Sequence, residues 1–180
     1  MRFFIIFSFI STILFASNIN DSLLKVHATL VPKIPLMDYK FQKKCSKHNI
    51  KIVLLYDKIN YKDALSLKSK IDIKYNNGIK AYNVAVSLVE YKNLNEDTVN
   101  IYYLLPTTKT QHIKEVVKIA KKNNSLTFSY LKDYLKYDIM FSINIGSKIK
   151  PVINLDAIRR CGVTFRPILL KISKIYQKGV

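Results

Sequence analysis

A small set of polar and aromatic residues stands at the ends of predicted strands, where it could bind a ligand. The set consists of Tyr56, Asp57, Pro106, Thr107 and Tyr130. In open parallel sheets, ligands bind beyond the carboxyl ends of the strands, and these residues lie at such ends. The alternative is ordinary turn chemistry, in which the Asp57 carboxylate accepts hydrogen bonds from nearby backbone amides. We favour the turn interpretation.

Motifs for nucleotide binding, metal binding and nucleophilic catalysis are missing. The chain has only four glycines, whereas a P-loop or a dinucleotide-binding loop needs several within a few residues. The histidines, His27, His48 and His112, do not stand at metal-ligand spacing, so we expect them at the surface. The carboxylates show no pairing that suggests acid–base catalysis. We therefore predict a non-enzymatic protein without a cofactor.

The first sixteen residues have the layout of a secretory signal peptide. Met1 and Arg2 form a short basic region, an apolar run follows, and Ala16 supplies the small residue before a cleavage site. The run is shorter than the roughly 20 apolar residues that span a membrane. We predict cleavage after residue 16 and export to the periplasm, with a retained N-terminal anchor as the alternative. Residues 17–180 then form a single domain without a membrane span.

The charge of the chain restricts its partners. Its formal net charge is +18, from 30 Lys and Arg against 12 Asp and Glu, but only four of the basic residues are Arg. Nucleic-acid binding needs a basic patch with Arg forks or stacking aromatics, and an exported protein rarely meets nucleic acid. We therefore predict no nucleic-acid partner. An acidic protein or an anionic membrane surface is the more plausible target of this charge.

The two cysteines, Cys45 and Cys161, could form one disulfide in an oxidising compartment. The alternative is two separate thiols. The sequence does not show whether the two residues come within bonding distance.

The pattern of apolar residues predicts alternating strands and helices. We expect strands at 50–56, 80–89, 99–105, 126–129, 139–145 and 148–153, the last two joined by a hairpin turn. We expect helices after the capping residues 20–22 and at 61–71, 110–122, 131–137, 155–161 and 167–177. This alternation predicts an α/β single-domain sandwich, with a mainly parallel sheet, a late antiparallel hairpin and helices on both faces.

The C-terminal third resembles the YfiR-like family of periplasmic regulators. The matching residues are Ile153, Asn154, Leu155, Ala157, Gly162, Leu169 and Leu170. Asn154 can cap a helix that starts at Leu155, and Gly162 can end it in a left-handed conformation. We expect Leu169 and Leu170 to return the last helix to the sheet, so these are residues of the fold and not of an active site.

The resemblance implies a non-enzymatic regulator in the periplasm. It would bind the outer part of an inner-membrane signalling protein such as a diguanylate cyclase or a sensor kinase. Independently of the resemblance, a homodimer is left open by the sequence. Two departures from the family are visible: Tyr137 and Asp138 replace glycines before a strand, and Arg166 stands where a Ser or Thr cap is usual.

A second resemblance is to one lobe of an ABC-type periplasmic substrate-binding protein. Those proteins close two lobes around a ligand, and a chain of this length supplies one lobe without a second wall.

Overall fold

The computed structural model describes residues 19–44, 48–97 and 99–178. The predicted signal peptide and Cys45 lie outside these residues, so cleavage and the Cys45–Cys161 pairing remain predictions.

The described residues form a seven-stranded sheet with helices on both faces, which confirms the predicted fold class. The strands are β1 (Asn49–Tyr56), β2 (Asn83–Glu90), β3 (Ile101–Leu104), β4 (Leu126–Ser129), β5 (Phe141–Asn144), β6 (Lys150–Ile153) and β7 (Lys174–Ile175). Their order is β2-β1-β3-β4-β5-β6-β7. All neighbours are parallel except β5 and β6, which form the expected antiparallel pair.

Six α-helices accompany the strands in the described part of the chain. They are α1 (Asp21–Leu30), α2 (Phe41–Lys44), α3 (Tyr61–Lys74), α4 (Thr110–Lys122), α5 (Leu155–Arg160) and α6 (Pro167–Ile172). Short 3₁₀ helices lie at Val31–Lys33, Pro35–Met37, Lys58–Asn60, Tyr91–Asn93 and Lys132–Tyr137.

Alternating side chains of the central strands build the core on both faces of the sheet. On β1, Ile50, Ile52 and Leu54 contact the cluster that includes α1, α3 and α5. Val53 and Leu55 belong to the cluster on the opposite face, together with α4. Because successive residues of a strand point to opposite faces, an almost continuous apolar run such as β1 is buried on both.

The end of the chain differs from the prediction in two ways. The last helix was expected to reach residue 177, but α6 ends at Ile172 and is followed by the short strand β7. Ser173 is extended, and its hydroxyl donates a hydrogen bond of 2.6 Å to the Leu169 carbonyl. β7 then pairs with the outer side of β6, whose backbone groups need partners. The β5–β6 connection is also longer than the expected two-residue turn and covers residues 145–149.

His27 is buried, which contradicts the expectation that the histidines lie at the surface. Its Nδ1 is 2.9 Å from the Tyr103 hydroxyl, and its ring stacks on Tyr130 at a centroid distance of 5.3 Å. The position follows from helical spacing, because His27 shares the buried face of α1 with Leu24 and Ala28. Burial lowers the pKa of His27 to about 3, so the ring is neutral in the folded protein.

Candidate functional site

A candidate site lies where the strand order reverses. In the order β2-β1-β3-β4-β5, the connections leave β1 and β3 in opposite directions across the sheet, and ligands bind in the crevice at such a point. A cavity of about 580 Å³ opens there. Its lining residues come after β1, after β3 and from the segment that follows β4; they are Asp57, Lys58, Ile59, Asn60, Pro106, Thr107, Thr108, Lys109, Leu131 and Tyr134.

A polar cluster around His112 contacts two of the lining residues, Asp57 and Thr107. His112, in the first turn of α4, stacks on Tyr91 with a centroid distance of 5.1 Å. Its Nδ1 lies 3.7 Å from an Asp57 oxygen and 3.3 Å from the Thr107 hydroxyl. In a catalytic relay, the histidine takes a proton from the nucleophile through one ring nitrogen and contacts the orienting carboxylate through the other. Both contacts here fall on one nitrogen, so the three residues bind and orient one another and do not form a relay.

Tyrosine hydroxyls fix the backbone around the cavity. The Tyr134 hydroxyl accepts a hydrogen bond of 2.7 Å from the Thr107 N–H and donates one of 2.9 Å to the Thr107 carbonyl. The Tyr91 hydroxyl donates to the Leu105 carbonyl at 2.6 Å. Burial raises the pKa of both tyrosines, so their hydroxyls stay protonated and can keep donating. The loop after β3 is therefore held in place before any ligand arrives.

The structure brings together three of the five residues expected at the strand ends. Asp57, Pro106 and Thr107 line the cavity. Tyr56 instead packs against the Tyr61 ring at 5.5 Å. The Tyr130 hydroxyl accepts a hydrogen bond of 3.0 Å from the Asn20 N–H, which anchors the start of α1.

Sequence reasoning missed Asn60 and Tyr134, which line the cavity, and His112, which contacts Asp57 and Thr107. The Asn60 side chain donates to the Pro106 carbonyl at 2.7 Å and ties the loops after β1 and β3 together. No local pattern identifies such a contact, which joins residues 46 positions apart. His112 lies in the first turn of α4, the helix that follows β3 and its loop. This position was a usable sequence signal that His112 lies near the site.

The structure places the residues of the C-terminal signature at the end of β6, in and after α5, and in α6. The Asn154 side chain accepts a hydrogen bond of 3.1 Å from the Ala157 N–H and so caps α5, and it donates one of 2.9 Å to the Leu135 carbonyl. Gly162 is left-handed, with φ +62°. Asp138, which replaces a family glycine, is also left-handed at φ 68°, so this position needs the backbone conformation that glycine adopts most easily.

Contrary to expectation, Leu170 does not return the last helix to the sheet. Leu169 is 1% exposed, whereas Leu170 is 42% exposed. Only one face of the six-residue helix α6 meets the core, and consecutive residues of a helix point about 100° apart. Arg166 makes no side-chain cap; Pro167 at the first helical position removes one of the N–H groups that would need one.

Large apolar side chains are exposed on α6 and on β7, which follows it. Ile168 and Ile172 lie about one turn apart on α6, and Leu170 points about 160–200° away from them. We use the name α6 surface for these three residues together with Ile175 of β7, which are 38–52% exposed. The connection between β5 and β6 exposes two further isoleucines, Ile145 and Ile149.

A match to a protein-family model shows which family this chain belongs to. A sequence model described as YfiR/HmsC-like matches residues 43–174. The chain belongs to the YfiR/HmsC-like family. Regulation of a diguanylate cyclase in the periplasm is a property of this family. No curated protein matches the chain in sequence.

Two solved structures share the fold of this YfiR/HmsC-like chain. A conserved domain protein from Vibrio cholerae is 12% identical with a TM-score of 0.60, and the alignment covers 86% of this chain and 60% of that one. The ABC domain from Streptococcus pneumonia, solved in complex with L-Trp, is 12% identical with a TM-score of 0.57, covering 85% and 62%. This chain thus spans about 60% of the length of each, and at this identity the likeness concerns the fold alone.

Within the described ranges of this YfiR/HmsC-like chain, no three His, Cys, Asp or Glu residues gather as metal ligands. In the same ranges, every helix is too short or too polar to cross a membrane. Cys161 is buried at the end of α5. Whether it pairs with Cys45 stays a prediction, which mass spectrometry after alkylation with and without reductant would check.

Proposed function

We propose that the chain is exported and regulates an inner-membrane signalling protein by binding its periplasmic region. A diguanylate cyclase is the first candidate partner, because this is the partner of the family. A sensor kinase is the alternative. The proposal includes cleavage of the signal peptide and action in trans, on a separate polypeptide.

The α6 surface is the observation that carries this proposal. Three of the six residues of α6, namely Ile168, Leu170 and Ile172, are large, aliphatic and exposed. Burying them against a partner would remove apolar area from water, at about 25 cal/mol for each Å² buried. The basic residues Arg166 and Lys171 flank them and would form a polar rim that favours an acidic partner.

The experiment is crosslinking in the native cell, followed by mass spectrometry of the membrane fraction. We expect the tagged chain to recover a membrane cyclase or kinase with a periplasmic region. Ile172→Glu should abolish this recovery and leave the melting temperature unchanged, because Ile172 is 46% exposed. Ile73→Glu on α3 is the matched control, since Ile73 is 74% exposed and lies on a different element. Equal recovery with both variants would refute the α6 surface as the binding site.

The cavity at the carboxyl edge supports a second candidate function, binding of a small molecule as in a single-lobe substrate-binding protein. Its volume of about 580 Å³ lies within the usual range for ligand sites, and its loops are held by hydrogen bonds. The twenty amino acids are suitable first probes. A ligand that binds the folded chain raises its melting temperature, and Thr107→Val should remove the rise. If no amino acid raises the melting temperature, small-molecule binding at this cavity is refuted and the regulatory function remains the proposal.

A further inference from the structure

β2 is an edge strand whose outer side is left unpaired. It pairs with β1 along all eight residues and lies at the end of the strand order. Backbone groups of a strand point alternately to its two sides. Half of the residues of β2 therefore direct their N–H and C=O groups away from β1, and no strand of the described residues pairs with them.

β2 also lacks the features by which edge strands usually avoid pairing with other chains. Edges are commonly short, interrupted by a bulge, or protected by Lys or Pro. β2 reads Asn83-Val-Ala-Val-Ser-Leu-Val-Glu90, without Lys or Pro, in a chain in which Lys is abundant. Its register with β1 runs without a bulge. The strand can therefore accept a further strand along its full length.

A groove lies beside this edge, on the face of the sheet opposite α3. Among its described residues, the β2–β3 connection forms the 3₁₀ turn Tyr91–Asn93 and no α-helix. The groove has a volume of about 560 Å³. Its lining residues come from β2, from β1 and from the connection before β3; among them are Lys51, Val53, Ser87, Val89, Asp97 and Val99.

The two features together match one kind of ligand, an extended peptide segment. In strand addition, the backbone ladder supplies affinity, and a pocket beside the edge selects alternate side chains. The valines at 53, 89 and 99 make the groove suitable for an apolar side chain. A helix or a small molecule would leave the outer N–H and C=O groups of β2 without strand partners.

The charges around β2 favour an acidic segment over a second copy of the chain. Lys51 lies beside Ala85 in the β1–β2 register and lines the groove, and Lys80 precedes the strand. Lys92, after the strand, forms an ion pair of 2.8 Å with Glu90. Two copies paired through β2 would bring these lysines together in a chain of net charge +18. The carboxylate among the lining residues, Asp97, accepts a hydrogen bond of 2.8 Å from Asn95.

We propose that β2 is a docking edge for an extended, acidic segment of another protein. The segment adds as a further strand and places an apolar side chain in the groove. This surface is distinct from the α6 surface, so its test does not depend on the proposed regulatory partner.

The test is selection of a library of random twelve-residue peptides displayed on phage against the purified protein. We expect enriched peptides in which Val or Ile alternates with Asp or Glu. One of them is then synthesised in two forms, N-methylated at odd or at even positions, because only one set of amides faces β2. We expect one form to bind like the parent and the other at least tenfold more weakly.

Two matched variants locate the site. Ser87→Glu, on the exposed face of β2, should weaken peptide binding at least tenfold through repulsion, whereas Ser69→Glu on the exposed face of α3 should not. The proposal is overturned if no peptide is enriched, if both methylated forms bind equally, or if Ser87→Glu leaves binding unchanged. A dimer in sedimentation that Ser87→Glu converts to monomer would also overturn it, because the edge would then hold a second copy.

Discussion

The buried histidine predicts that the protein loses stability as the pH falls below neutral. His27 is 0% exposed, and its Nε2 has no hydrogen-bond partner among the described residues. Burial lowers the pKa of His27 to about 3 in the folded state, whereas an exposed histidine in the unfolded chain titrates near 6.5. Between these values the unfolded state binds one more proton, so the free energy of unfolding decreases as the pH decreases.

The size of the effect follows from the width of this window. Each pH unit between the two pKa values changes the free energy of unfolding by about 1.4 kcal/mol. From about pH 7.5 to about pH 4.5, roughly two units fall inside the window, so His27 alone should remove about 2–3 kcal/mol. That is a large part of the roughly 5–15 kcal/mol that stabilises a typical domain. The loss should level off as the pH approaches the folded-state pKa of about 3.

Urea unfolding at both pH values measures this loss. The reference is the double variant His27→Leu with Tyr103→Phe, which removes both members of the 2.9 Å hydrogen bond and leaves no buried hydroxyl unpaired. Lysines lower the pKa of Asp21 and Glu96, so these carboxylates also lose stabilising interactions in acid. They are present in both proteins, and their contribution cancels in the comparison. An equal loss of stability in the two proteins would refute the reasoning.

Three further predictions concern the C-terminal elements, and urea unfolding checks each of them. Asn154→Ala should destabilise the protein by about 1 kcal/mol, because the cap of α5 is lost; an unchanged midpoint would contradict the capping role. Leu169→Ala should cost about 2–5 kcal/mol, whereas Leu170→Ala should stay within about 0.5 kcal/mol; equal costs would contradict the orientation of α6. Asp138→Val should cost about 1–2 kcal/mol, because a branched residue tolerates the left-handed backbone poorly, and Asp138→Gly should not.

Much of the fold was predictable because its signals are local. The apolar run of β1, the amphipathic pattern of α4 and the short strand β4 were expected close to where the structure has them. Each element is coded by neighbouring residues whose spacing fits one regular structure. The end of the chain was predicted less well, because β7 depends on the free side of β6 and not on its own two residues.

The candidate site was predictable only in part. Asp57, Pro106 and Thr107 follow strands, and the rule for parallel sheets was sufficient to place them at one edge. Their partners Asn60 and Tyr134 contact residues 46 and 27 positions away, and such contacts leave no pattern in the sequence. His112 contacts Thr107 from the first turn of α4, and that position was a usable signal. The spacing of α1 places His27 on one face with Leu24 and Ala28, and the sheet beneath α1 buries that face.

The sequence by itself determined the alternation of strands and helices, the capping residue Asn154 and the signature that the family comparison supports. These depend on spacing, backbone preference and short-range hydrogen bonds. Only the tertiary structure decided the strand order, the burial of His27, the exposed side chains of α6 and the open edge of β2. Those features depend on which surfaces other elements cover. Coverage is a property of the packed chain as a whole, and no single segment encodes it.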